Sequence, residues 1–289
     1  MNNSYIVNIA QAIQKNCPLV HNITNYVVMN TTANALLAIG ASPVMAHAIE
    51  EVEEMASFAG ALVLNMGTIS ADWKPSMILA GKTANKKNTP IVFDPVGMGE
   101  TTYRSEIAKS ILDECKPTII RGNASEIMAL AGLKIKTKGV DSTTSTDQAI
   151  VAAQQLAQSE SAVIVISGLS DYVVDANHVV RIDGGSDMMP KVTGMGCTAT
   201  SILGACAAAA HTAEDINLPS GWSPYLAAAV TGMVIMGAAA EWAEPLSEGP
   251  GSLQMHLLDG FYRISQDASL LTEKTHVTDL SNSTQSTNK

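Results

Sequence analysis

Short apolar runs alternate along the chain with longer stretches whose apolar positions recur at helical spacing. The runs at 18–23 (PLVHNI), 42–47 (SPVMAH), 61–67 (ALVLNMG), 90–97 (PIVFDPVG), 117–123 (PTIIRGN) and 162–168 (AVIVISG) read as buried strands. Their apolar positions are continuous rather than alternating, as in a parallel sheet covered on both faces. Helix candidates lie between and after them at 26–40, 50–59, 72–87, 102–115, 124–131 and 145–159. Strand alternating with helix predicts an α/β fold: a central, mostly parallel sheet with right-handed crossovers and helices on both faces. After residue 168 the rhythm changes. DYVVDANHVVRIDGG predicts a hairpin turning at Ala176-Asn177, and from Gly196 to about Ile264 the chain reads as helical. The expected organisation is one domain over 1–272, with no repeat and no linker, followed by a disordered polar tail over 273–289.

Hydrophobic residues make up 46% of the 289 positions and charged ones only 15%, below the roughly 25% of an ordinary soluble domain. That composition excludes disorder for the bulk of the chain and predicts a large core. The 27 acidic against 17 basic side chains leave a formal charge of -10, which argues against nucleic acid or an anionic membrane as partner. The low charge also points to surface covered in a homo-oligomer. Cys17, Cys115, Cys197 and Cys206 have no CxxC spacing, so neither a zinc site nor a disulfide framework is expected. The N-terminal stretch lacks the basic-then-apolar order of a signal peptide. Val192–Ala210 and Ser223–Ala240 approach the length of a bilayer span, but their Ala, Gly, Thr and Ser content suits helices buried inside a protein. A cytoplasmic protein is expected.

In open α/β sheets ligands bind at the carboxyl ends of the strands. The residues closing the predicted strands are Asn25, Met45, Asn65-Met66-Gly67, Asp94-Pro95, Arg121-Gly122-Asn123 and Ser167-Gly168. A carboxylate, an arginine and backbone-exposing glycines together suit a phosphorylated ligand with a metal ion. The plainer alternative is that each Asp or Asn caps the next helix. VTGMGCTAT (192–200) is the sharpest local signal. Its glycines let the backbone approach a ligand, and the helix start behind them offers N–H groups to a phosphoryl group in transfer. Cys197 lies at that helix start, where the dipole lowers a thiol pKa; otherwise it is a small core residue behind a glycine turn. In RGNASEI (121–127), Asn123 and Glu126 share a helix face, which offers Glu126 to a magnesium-bound water or to a capping box.

Two other motifs do not hold. GMGCTA (194–199) matches a dinucleotide fingerprint but follows no apolar strand. Gly81-Lys82-Thr83 ends like a Walker A loop, yet it falls inside a helix and the motif's first glycine would be Ser76. His21 and His47 end strands without a Ser or Asp at triad spacing, and His211, His256 and His276 fall on helix ends or the tail.

N-x-x-E after a strand, with a late glycine turn opening a helix, is similar to the ribokinase-like small-molecule kinases. The base position after the glycines, usually Asp there, is Cys197 here. With VHNITNYVVMNTTAN (20–34), FDPVGMG (93–99), IIRGNASEI (119–127) and GPGSLQ (249–254), VTGMGC resembles the hydroxyethylthiazole kinase family from about residue 17 to 263. The resemblance implies a ribokinase-like fold and ATP-dependent phosphorylation of the primary alcohol of 4-methyl-5-(2-hydroxyethyl)thiazole, a thiamine precursor. It also implies a homotrimer with active sites between subunits. Met45 and Gly194 match thiazole-binding positions, with Asn25 and Gly67 as neighbouring pocket candidates. Arg121 and Ser167 match ATP-binding positions, and Asn123 stands beside them. Asp94 and Glu126 match the acidic pair near Mg²⁺ and the phosphates, holding the ion directly or through water. Other readings are a kinase of this fold acting on hydroxymethylpyrimidine or a sugar, a cysteine hydrolase using Cys197, and a thiazole-binding protein without catalysis.

Overall fold

A computed structural model describes residues 3–133, 142–213, 216–273 and 276–281. Nine strands form one sheet: β1 (Leu19–Ile23), β2 (Ser42–Val44), β3 (Ala61–Asn65), β4 (Ile91–Asp94), β5 (Ile119–Asn123), β6 (Val163–Ser167), β7 (Asp171–Val174), β8 (Val179–Asp183) and β9 (His276–Asp279). Their order is β2-β1-β3-β4-β5-β6-β7-β8-β9. The first six are mutually parallel, and β7, β8 and β9 add on antiparallel. Among the described residues ten α-helices accompany these nine strands: α1 (Ser4–Asn16), α2 (Met29–Ile39), α3 (Val52–Phe58), α4 (Trp73–Lys87), α5 (Thr102–Cys115), α6 (Ala124–Leu130), α7 (Ser142–Glu160), α8 (Met195–Thr212), α9 (Pro224–Ala243) and α10 (Pro250–Gln266).

The continuous apolar runs have the expected cause. Alternate residues of each strand serve two cores. Val20, Val63, Val92 and Ile119 pack with α1, α2, α8, α9 and α10 on one face. Leu62, Leu64, Phe93 and Ile120 pack with α3, α4, α5 and α7 on the other. The doubly covered α/β fold is therefore as the pattern predicts, and the hairpin β7–β8 turns at 175–178, where Asp175 Oδ1 accepts from the N–H groups of Asn177 and His178.

Three departures have physical reasons. α1 forms in a segment for which the apolar runs predict no element; Tyr5, Ile6, Ile9 and Ile13 are buried along one stripe of it. β2 stops at Val44 instead of running to 47, because the His21 ring, not a neighbouring strand, takes the Ala46 carbonyl (2.7 Å). Inside the expected polar tail, His276–Asp279 pairs with β8 as an edge strand; residues 282–289 lie outside the described residues. Gly81, the Walker-like glycine, is a helix crossing: a methyl group there would overlap Cys115 on α5. α9 with its following turn, Pro224–Leu246, is long and apolar enough to cross a membrane, but 83% of its apolar window is buried in the molecule.

Candidate active site

α8 begins in the αL conformation at Gly194 (φ +83°), which costs a glycine little. A methyl group at Gly194 would lie 2.6 Å from Val28 Cγ1, so a larger residue is excluded. The first turn of an α-helix leaves its N–H groups without intrahelical acceptors. Over this turn lies the Arg121 guanidinium, packed so closely on Gly196 that a methyl there would sit 2.9 Å from Arg121 Cζ. A cation and a helix N-terminus thus face the same point, which is a site for an anion.

Register explains what surrounds it. Asn65 pairs with Asp94 across β3 and β4, and Asn123 with Ser167 across β5 and β6. Asp94 is fully buried. Its Oδ2 accepts from Asn65 Nδ2 (3.0 Å) and Thr200 Oγ1 (2.7 Å) and lies 3.7 Å from Arg121 Nη1. Burial raises its pKa to about 6 against the opposing pull of Arg121 and Thr200. Asn65 Oδ1 in turn accepts from Asn25 Nδ2 and from the Gly67 N–H, both at 2.9 Å. Asn25 Nδ2 also donates to Cys197 Sγ (3.3 Å). One chain of contacts therefore joins Gly67, Asn25, Cys197, Asn65, Asp94, Thr200 and Arg121, and Arg121 Nη2 donates onward to Ser167 Oγ.

Cys197 departs from expectation. Burial and the nearby Asp94 raise its thiol pKa, outweighing the hydrogen bonds and Arg121. The helix start does not make it a thiolate.

Glu126 is committed to the backbone. Its Oε2 accepts from the Asn123 N–H and its Oε1 from the Gly97 N–H, while Asn123 Oδ1 accepts from the Glu126 N–H. The capping-box reading of RGNASEI is thus realised. Met45, just past β2, is outside the hydrogen-bonded chain; its carbonyl meets His47 Nδ1 at 3.4 Å.

Beside the α8 turn lies a cavity of about 920 Å³ whose walls include Arg121, Asn123, Ser167, Gly194, Met233 and Met236. It has phosphate-binding chemistry at one wall and apolar sulfur-containing side chains at another. The residues fit a magnesium ion in one respect: Asp94 Oδ1 is buried without a partner. Mg²⁺ commonly takes one or two carboxylates and completes its shell with water and phosphate oxygens. Among the described residues no cluster of three His, Cys, Asp or Glu stands ready to hold a metal by itself. Glu126, with both oxygens engaged, suits contact through water.

Sequence reasoning passed over Thr200 and Asp171. Thr200 was visible only as the residue one turn beyond Gly196. Asp171 lines the cavity, accepts from the Gly168 N–H (3.0 Å), and is raised by burial from 3.8 to about 6. The folded state holds this proton where the unfolded chain has released it. Its contribution to stability is therefore complete below about 3.8 and lost as pH rises to about 6. Asp171→Asn keeps the acceptor for Gly168, and its stability relative to the parent is expected to rise by on the order of 1–3 kcal/mol between about pH 4 and pH 7. Urea unfolding across that range measures this, and a constant difference would clear Asp171 of the effect.

The sheet order, the late glycine turn and the buried strand-end carboxylate define a small-molecule kinase of the ribokinase-like fold. Bacillus subtilis pyridoxal kinase, solved as an ADP complex, shares that fold at 16% identity, with a TM-score of 0.58 over 82% of this chain and 99% of its own. The hydroxyethylthiazole kinase family profile matches residues 10–267, and the chain belongs to that family. Hydroxyethylthiazole kinase of Desulfotalea psychrophila is 48% identical over 89% of this chain and 90% of its own length. That of Vibrio atlanticus is 49% identical over 91% and 95%. The solved hydroxyethylthiazole kinase of Pyrococcus horikoshii OT3 superposes with a TM-score of 0.83 at 36% identity, covering 96% of this chain and 99% of that one.

Proposed function

We propose that this chain transfers the γ-phosphoryl group of ATP to the primary alcohol of 4-methyl-5-(2-hydroxyethyl)thiazole, in thiamine biosynthesis and salvage. The observation that carries this reading is the meeting of an anion-receptive helix start with Asp94, Arg121 and the Asn25–Cys197 contact in one network. ATP occupies the cavity, with Arg121, the Ser167 hydroxyl and Asn123 toward its phosphates. The thiazole lies among Asn25, Met45, Gly67 and Gly194. Asp94, and Glu126 through water, would hold Mg²⁺, which would neutralise charge on the nucleotide phosphates.

Phosphoryl transfer needs alignment and charge stabilisation more than covalent chemistry. The N–H groups of residues 194–197 receive the migrating group, and Arg121 balances the charge that spreads over its oxygens. Cys197 stands beside the alcohol as a thiol whose pKa burial raises, so it takes no proton itself. A loose transition state needs the alcohol proton to leave only late, and it passes to an oxygen of the transferred phosphoryl group or to water. Cys197→Asp is expected to keep or raise kcat, and Cys197→Ala to lower it about three- to tenfold. Abolished turnover in both would mark Cys197 as a packing residue.

The proposed assembly is a homotrimer with active sites between subunits. Exposed Tyr26, Val27, Leu37, Ile49 and Phe58, carried by segments beside the edge strand β2, support that reading. The proposed location is the cytoplasm, and α9, long and apolar enough to cross a membrane, is mostly buried inside the molecule.

The test is ADP release from Mg²⁺-ATP with hydroxyethylthiazole, with hydroxymethylpyrimidine, and with neither. Release dependent on the thiazole alcohol supports the assignment. Release with the pyrimidine alone moves the substrate, and silence with both leaves a binding protein.

A further inference from the structure

Arg104 begins α5, where Thr101 Oγ1 accepts from its N–H (3.2 Å) and fixes the first turn. Among the described residues it forms no ion pair. Its guanidinium goes instead to three backbone carbonyls in two loops. Nη1 donates to Met66 O and to Val96 O, and Nη2 to Gly67 O, each at 2.7 Å. The side chain runs beneath Gly97 (φ +72°), where a methyl group would lie 3.2 Å from Arg104 Cδ. A partly buried cation without a carboxylate is tolerated when its donors are satisfied, and a planar fork can satisfy them in fixed directions.

Those carbonyls matter for what they immobilise. Gly67 is held at both ends of its peptide frame: Arg104 takes its carbonyl, and Asn65 Oδ1 takes its N–H. The same Asn65 oxygen accepts from Asn25, which reaches Cys197. On the other side Val96 is tied to Arg104 and its neighbour Gly97 to Glu126, which also holds Asn123. Arg104 thus laces the loop after β3 to the loop after β4, and Glu126 laces that loop to Asn123, where β5 passes directly into α6. Two opposite charges that form no pair with each other link two loops and the end of β5 at the mouth of the sheet.

We infer that Arg104 is a positioning residue for the acceptor alcohol: its guanidinium clamps the Met66-Gly67 wall in register with the loop that follows Asp94. The inference rests on placing the thiazole alcohol at Asn25, Met45 and Gly67. The nucleotide wall of Arg121, Ser167 and Asn123 meets this clamp only at second hand, through Glu126 to Asn123 and through Asn65 and Asp94 to Arg121. Gly67 lies directly on the clamp, so its loss is expected to act first and most on the alcohol. Displacement of a binding wall by about an ångström is enough to cost a factor of tens in a positioned reaction.

The experiment is steady-state kinetics on the full chain, varying each substrate in turn. Arg104→Ala is expected to raise KM for the thiazole alcohol about tenfold or more, with KM for ATP within about twofold. Guanidinium chloride at about 20 mM is expected to recover part of the alcohol affinity in Arg104→Ala and none in the parent, because it restores the planar fork. Arg104→Lys gives the same one-sided change at smaller size, and carries the test alone should Arg104→Ala fail to fold. Parallel changes in both KM values, or no change in either, overturns the clamp. Asn25→Ala, run alongside, separates the two ideas. If it raises the alcohol KM while the Arg104 variants do not, the clamp fails and the placement stands. If the Arg104 variants raise it and Asn25→Ala does not, the placement fails and the clamp stands.

Discussion

Asp94→Asn is expected to lower kcat/KM by about 10³-fold while the protein stays folded. The substitution is nearly isosteric. Its amide oxygen can still accept from Asn65 and Thr200, the two donors that now meet Asp94 Oδ2. What disappears is the negative charge opposite Arg121 and the oxygen Oδ1, which is buried and without a partner. A fully buried carboxylate pays a large desolvation penalty, seen in the rise of its pKa to about 6. A neutral amide escapes that penalty, so Tm is expected to hold or rise. Such opposed effects on rate and stability are the mark of a charge kept for chemistry. Initial rates at saturating Mg²⁺-ATP, with a thermal scan of the same preparation, read both. A variant retaining more than about a tenth of the parent rate would leave Asp94 as an acceptor in the core and nothing more.

Arg121→Ala is expected to lower kcat/KM for ATP by about 10²-fold, through kcat and a raised KM for ATP, with KM for the thiazole alcohol changed far less. The guanidinium spans three features: Asp94, the Ser167 hydroxyl and the Gly196 backbone at the start of α8. Its removal strips the cation from the phosphate wall and leaves Asp94 buried without its ion partner, so Tm is expected to fall as well. Arg121→Lys restores the charge but not the planar face that lies on Gly196, and is expected to recover activity only in part. Kinetics with each substrate varied in turn, plus nucleotide binding by calorimetry, decide the case. Equal rises in KM for ATP and for the alcohol would move Arg121 from the nucleotide to the framework.

The parallel part of the sheet was legible because two-sided burial writes itself as unbroken apolar runs, as at Ala61–Asn65 and Val163–Ser167. β9 was not, since a half-exposed edge strand of His, Val, Thr and Asp carries no such run. The stripe of α1 was present in the sequence and passed over. At the site, Asp94, Arg121 and Ser167 were legible as strand ends, and their convergence follows from register. The Thr200–Asp94 bond joins residues 106 positions apart, which no local pattern encodes. For Cys197 the helix start suggested a lowered thiol pKa, but burial is a tertiary quantity and it prevails. Arg104 is silent in sequence because its partners are backbone carbonyls, which every residue possesses.

α8 is buried along its length from Thr198 to Ala210. Gly204 meets Val63 so closely that a methyl would lie 2.8 Å from Cγ2, and at Gly232 of α9 a methyl would lie 2.7 Å from Leu203 Cδ2. A rod wedged this tightly has no room to travel. It acts as an anvil, and movement at this cavity is left to its other lining, where Leu169 stands 91% exposed and the segment 184–192 runs without regular structure beyond one short turn. Under the proposed function, substrate entry and release are then expected to be paced by those segments and not by α8.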